Sequence, residues 1–158
     1  MKLMDKWDQR FYNLAKNVSE WSKDPSKKVG AVIVDGRRII ATGYNGLPHG
    51  IEDNERLFDR EWKLKVVIHA EVNAILNAAK NGASTRGCTI YVNIPPCSNC
   101  GASIIQAGIR RVVCPSFEEY NGNWKESFQL SKDLLTEAGV DYENPEEMSH
   151  VRISSYPS

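Results

Sequence analysis

Apolar residues recur at Trp7, Phe11, Leu14, Val18 and Trp21, in steps of four, three, four and three. That spacing places them on one face of an amphipathic helix. Lys23-Asp24-Pro25-Ser26 breaks the pattern. Residues 29–34 form a short β-branched run, Asp35-Gly36 is a hairpin-turn dipeptide, and residues 38–44 read as the returning strand. Residues 45–60, with Gly46, Pro48 and Gly50, read as a polar loop. A helix is predicted from near His69 through Ala78, with Gly82 just past its end.

The remainder alternates. Residues 89–92 predict a strand closed by Pro95 and Pro96; residues 97–107 a helix ended by Gly108; residues 111–114 a fourth strand. Residues 124–138 predict a last helix, with Phe128, Leu134 and Leu135 apolar, and residues 140–142 a fifth strand. The aromatic residues of the first and last helices are expected in the core. Strand–helix–strand units imply parallel pairing. The expected architecture is α/β, a mixed five-stranded sheet, antiparallel at its first hairpin, with helices on both faces. One domain over residues 1–142 is expected, then a polar tail over 143–158.

The 158 residues suit a single domain with its own core. Twenty basic residues balance twenty acidic ones, which argues against a protein that grips nucleic-acid backbones. No stretch is apolar enough to span a bilayer, and the charged N-terminus lacks the apolar core of a signal peptide. A cytoplasmic protein is therefore expected, without membrane or nucleic-acid partners. In a reducing compartment, a Cys-x-x-Cys pair points to metal or redox chemistry rather than a disulfide.

Two short segments carry candidate chemistry: His69-Ala70-Glu71 and Pro96-Cys97-Ser98-Asn99-Cys100. Each stands at the predicted start of a helix. Cys97 and Cys100, at i and i+3, share one face of a turn, and a helix N-terminus favours their thiolates. His69 completes a three-ligand set of the types zinc prefers, and three protein ligands leave the open fourth position of a catalytic zinc. Glu71, two residues from His69, suits a proton shuttle. A structural zinc would need a fourth ligand; His49, His150, Cys88 and Cys114 remain, and none forms a second close pair. A thioredoxin-like redox role is the other alternative for the cysteine pair. Cys88 and Cys114, in or beside strands, read as buried filler.

His-x-Glu followed by Pro-Cys-x-x-Cys is the signature of zinc nucleobase deaminases. In such a reaction water attacks C4 of cytosine, while Glu71 takes the water proton, passes it to ring N3 and later protonates the leaving amine. The stretches SKDPSKKVGAVIV, GYNGLPHG, HAEVNAILNAA, GCTIYV, PPCSNC and IIQAGIRRVV resemble the deoxycytidylate branch of the cytidine deaminase superfamily over about residues 19–142. The resemblance implies a three-layer α/β/α sandwich and hydrolysis of dCMP to dUMP and ammonia, feeding thymidylate synthesis. It also implies a homohexamer, activated by dCTP and inhibited by dTTP with Mg2+.

For individual residues, the resemblance places the effector at Gly43, Tyr44, Asn45 and Gly46, with Asn45 also aligned to a residue that holds the substrate sugar. The amide of Ala70 and the carbonyl of Pro95 should flank the pyrimidine edge, Tyr120 should stack on the base, and Lys23 should meet the 5′-phosphate. No cysteine precedes Cys88, so one zinc per chain is expected. The competing functions are a free cytidine deaminase, a tRNA adenosine deaminase, and a non-catalytic module built on the same fold. His69 in place of a cysteine ligand disfavours the first, the balanced charge the second, and the retained Glu71 the third.

Overall fold

The computed structural model describes residues 5–145. Helix α1 (Lys6–Ser19) starts at Asp5, whose carboxylate accepts the Trp7 and Asp8 N–H groups in a capping box. It leads into the hairpin β1 (Gly30–Asp35) and β2 (Arg38–Tyr44). Gly36, at φ 63°, supplies the positive φ that a tight two-residue hairpin loop requires. Then come α2 (Arg60–Val66), α3 (Ala70–Lys80), β3 (Thr89–Val92), α4 (Ser98–Gln106), β4 (Arg111–Val113), α5 (Lys125–Glu137) and β5 (Asp141–Glu143).

The sheet order is β2-β1-β3-β4-β5. The β3–β4 and β4–β5 pairs are parallel, as their intervening helices require. The β1 strand is antiparallel to both neighbours, because β3 docks beside β1 rather than beside β2. Alternating residues serve two cores. Ala31 and Ile33 of β1, Ile90 and Val92 of β3 and Val112 of β4 pack with α3, α4 and α5. Val32 and Val34, with Tyr91 and Val113, pack against Phe11, Tyr12, Ala15 and Val18 of α1. This is the expected three-layer arrangement. Ile33, Ile90 and Ile104 are completely buried, each contributing about 1.5–3 kcal/mol from removal of apolar surface.

The structure corrects four expectations. Residues 45–60 are not all loop: a 3₁₀ turn (Glu55–Phe58) precedes α2, which the periodicity did not announce because most of α2 faces outward and its buried residue is a lysine, Lys63. Trp21 is 57% exposed and lies beyond α1, so it is not a core residue. Trp124 is 42% exposed at the start of α5 and likewise lies outside the core. The last strand runs on to Glu143, whose carboxylate pairs with Arg111 and whose carbonyl accepts the Cys114 N–H. The rest of the expected tail, and His150, lie outside the described residues. Among the described residues, no helix is long and apolar enough to cross a membrane.

Candidate active site

His69 is the N-cap of α3 and Cys97 the N-cap of α4, and neither makes a side-chain capping bond. Their side chains are instead turned toward each other across the mouth of the sheet. His69 Nδ1 lies 3.5 Å from Cys97 Sγ and 3.3 Å from Cys100 Sγ. All three ligand atoms fall within 4.8 Å of one another, the one such group among the described residues. An antiparallel bridge holds His69 in place: Gly46 N–H donates to Ile68 O at 3.1 Å, and Ile68 N–H to Gly46 O at 2.9 Å. Cys88 and Cys114 are buried and stand apart from this group, as expected of filler.

The electrostatics suit a cation. The Cys97 thiol is pulled down to about 4, first by its hydrogen bond with Cys100, then by His69. The Cys100 thiol is pushed up, first by the Cys97 thiolate and then by burial. His69 is raised, first by its hydrogen bond with Cys97. Glu71, 2% exposed, is raised by burial, with a Cys100 hydrogen bond working against the rise. A buried carboxyl with a raised pKa beside a nucleophile-generating site is the environment of a general acid–base group.

A cavity of about 330 Å³ opens onto the site. His69, Ala70, Glu71, Pro95 and Cys97 line one end, where Ala70 is the first residue of α3 and offers an N–H with no intrahelical partner. Trp124 lines it beside His69, and Lys27, Arg60, Asn45 and Tyr120 are among its other lining residues. Lys23 does not reach this cavity: it pairs with Asp53 at 3.0 Å and borders a neighbouring one. Lys27, four residues on, and Arg60 and Lys63 of α2 are the cations that do, Lys63 already paired with Asp24, and none of the three was singled out from the sequence. Trp124 was also missed, since its spacing in α5 read as core.

The Gly43-Tyr44-Asn45-Gly46 segment has a structural explanation at every position. A Cβ on Gly43 would come within 2.4 Å of Ala74 N, so only glycine lets α3 lie against β2. The Tyr44 carbonyl accepts the Asn73 side-chain amide at 2.9 Å. Asn45 accepts the Val29 N–H at 2.9 Å and donates to Lys27 O at 2.8 Å, locking the loop before β1. Gly46 forms the bridge beside His69.

Residues 5–116 match the model of the cytidine and deoxycytidylate deaminase zinc-binding region. The chain belongs to this deaminase family. It is 45% identical over 140 residues to an uncharacterized deaminase in the luxG 3′ region of Aliivibrio fischeri, covering 88% of this chain and 93% of that one. It is 37% identical over 143 residues to the deoxycytidylate deaminase of Pongo abelii, covering 86% and 78%. The cyanophage S-TIM5 dCMP deaminase in complex with dCMP and dUMP has the same fold, with a TM-score of 0.72, 25% identity and coverage of 90% and 99%.

For a deaminase of this family, the donor set fits zinc. Zn–S and Zn–N bonds of about 2.3 and 2.0 Å in a tetrahedron separate neighbouring ligand atoms by about 3.5 Å, and the Nδ1–Sγ distances here are 3.5 and 3.3 Å. The chain is a zinc-dependent deaminase.

Proposed function

We propose that this deaminase hydrolyses dCMP to dUMP and ammonia. The observation that carries the reading is that one cavity is lined by His69 and Cys97 of the ligand triad, by Glu71, and by Lys27 and Arg60. Those two cations join no ion pair among the described residues, so a nucleotide phosphate has partners that a free nucleoside would leave unused. Two of the three relatives above are dCMP deaminases by name, in agreement with this choice.

Zinc held by His69, Cys97 and Cys100 would lower the pKa of a bound water and so supply the nucleophile. The chain's own groups do the rest. Glu71 takes a proton from the attacking water and gives it to ring N3. The C4–O bond forms, Glu71 transfers the second water proton to the amino group, and the C4–N bond breaks to release ammonia. The Ala70 N–H and the Pro95 carbonyl present a donor and an acceptor to the pyrimidine edge. Incubation with dCMP should yield dUMP and ammonia in equal amounts, with deoxycytidine a far poorer substrate. Equal kcat/KM for the two would sink the phosphate reading.

Regulation by dCTP and dTTP with Mg2+, in a homohexamer, is part of the same proposal. It is supported by a second cavity of about 240 Å³ lined by Tyr44, Gly46 and His49, which shares Asp24, Asn45 and Val67 with the first. Tyr44 meets Trp21 edge-on there, at 6.2 Å. If dCTP lowers the KM for dCMP by tightening its binding, a dCMP analogue must tighten dCTP binding by the same factor. Hyperbolic kinetics untouched by either triphosphate would leave the second cavity without this role.

A further inference from the structure

Trp124 occupies the N-cap of α5 at φ −92° and ψ −12° and makes no side-chain capping bond. Ser, Thr, Asp and Asn are favoured at such a position because their oxygens accept a first-turn N–H; an indole has no acceptor to offer. Its neighbours are aromatic. The indole stacks on Phe128, with centroids 6.1 Å apart and 22° between planes, and meets the His69 imidazole edge-on at 6.5 Å and 63°. Phe128 is buried, yet Trp124 keeps 42% of its surface exposed and lines the cavity. Other large apolar side chains are exposed too, Trp21 and Phe58 among them; Trp124 is set apart by lining the cavity with its ring beside that of a metal ligand.

Tyr120 is placed differently. Its ring meets Phe128 edge-on at 5.1 Å, and the Lys27 ammonium lies 6.0 Å from its centroid. Tyr120 therefore stands beside a cation of the cavity wall and Trp124 beside His69. The reacting C4 must lie within reach of Glu71 and the ligand triad, so the base belongs at the His69 end and the phosphate at the cations.

We propose that Trp124 is the substrate-positioning and specificity residue that supplies the aromatic surface for the pyrimidine, while Tyr120 borders the sugar and phosphate. This rests on the dCMP reading above and reassigns the stacking role expected of Tyr120. A polarisable indole face attracts any planar heterocycle laid against it, and its position holds that ring in front of Glu71.

The test uses zinc-loaded Trp124→Ala, Trp124→Phe and Tyr120→Ala, with metal content measured in each. Trp124→Ala should raise the KM for dCMP by about 5- to 150-fold, the range that loss of one base–aromatic stack gives, with kcat changed only a few-fold. Trp124→Phe should fall between it and the wild type, and Tyr120→Ala should raise KM less than Trp124→Ala does. An independent readout is indole fluorescence: dCMP should quench emission of Glu71→Ala protein, and the quench should vanish in Glu71→Ala with Trp124→Phe. A KM for Trp124→Ala within twofold of wild type, or a quench that survives Trp124→Phe, overturns the assignment. If Trp124→Ala loses zinc or fails to fold, the fluorescence result decides. Wild-type protein that leaves dCMP unchanged would sink the substrate reading itself, an outcome visible before any variant is compared.

Discussion

Lys63 of α2 and Asp24 of the loop after α1 form an ion pair 3.0 Å long, with side chains only 5% and 7% exposed. Lys63 also donates to Ser26 Oγ at 2.8 Å, and Asp24 accepts the Ser26 N–H at 2.8 Å. The pair fastens α2, which carries Arg60, to the loop that carries Lys27, and so assembles the cation-bearing wall of the cavity.

Removing one partner of a buried pair leaves the other charge uncompensated. Lys63→Met should therefore destabilise the protein by about 3–5 kcal/mol and lower Tm by on the order of 10 °C. Adding Asp24→Leu should recover part of the loss. Thermal unfolding of the single and double variants checks this; a single variant as stable as wild type would contradict the pair's role.

Acid should unfold the protein through two buried carboxylates. Burial alone would raise Asp24, but the Ser26 N–H and Lys63 hold it below its ordinary value. Asp8 is likewise held down, against burial, by Arg111 and Tyr91. A lowered carboxyl contributes stability that is complete above its unfolded pKa, near 3.8 for Asp, and is lost as pH falls through the folded value. Chemical denaturation should show stability falling steeply below about pH 4. Arg111→Ala should weaken that dependence, since it removes a main cause of the Asp8 shift.

The ligand triad predicts one zinc per chain. Cys97→Ala or Cys100→Ala should abolish stoichiometric zinc in metal analysis, because each removes one of three ligands. Two tightly bound zinc ions per chain would contradict the single site.

Glu71→Ala should keep the zinc and the fold and lose activity. General acid–base groups contribute about 10²–10⁴-fold. Glu71 serves several transfers, so kcat should fall by at least about 10⁴-fold. Near-normal turnover would remove Glu71 from the mechanism.

Gly43→Ala separates the structural from the regulatory reading of its segment. The added methyl would sit 2.4 Å from Ala74 N and 2.6 Å from Ala70 O. That should cost about 1–3 kcal/mol or more by overpacking, with loss of activity because α3 carries Glu71. Unchanged Tm with only an altered triphosphate response would contradict the packing role.

The chemistry was legible in the amino-acid sequence because its parts are local. Cys97 and Cys100 are one helical turn apart, and His69 and Glu71 are two residues apart. Such spacings fix relative geometry as soon as a helix begins at Ala70 and Ser98. The sheet and its helices were legible for a related reason: period-two and period-3.6 burial is written into each short segment. The tertiary structure alone decided which polar residues line the cavity. Lys27 enters it and Lys23 does not, though they are four residues apart, because Asn45 and Asp24 fold the intervening loop back on itself. Lys63 is buried against a residue 39 positions away, and Trp124 is left open beside His69 rather than packed in the core. Those outcomes depend on contacts between distant segments, whose partners no local pattern of apolar and polar residues records.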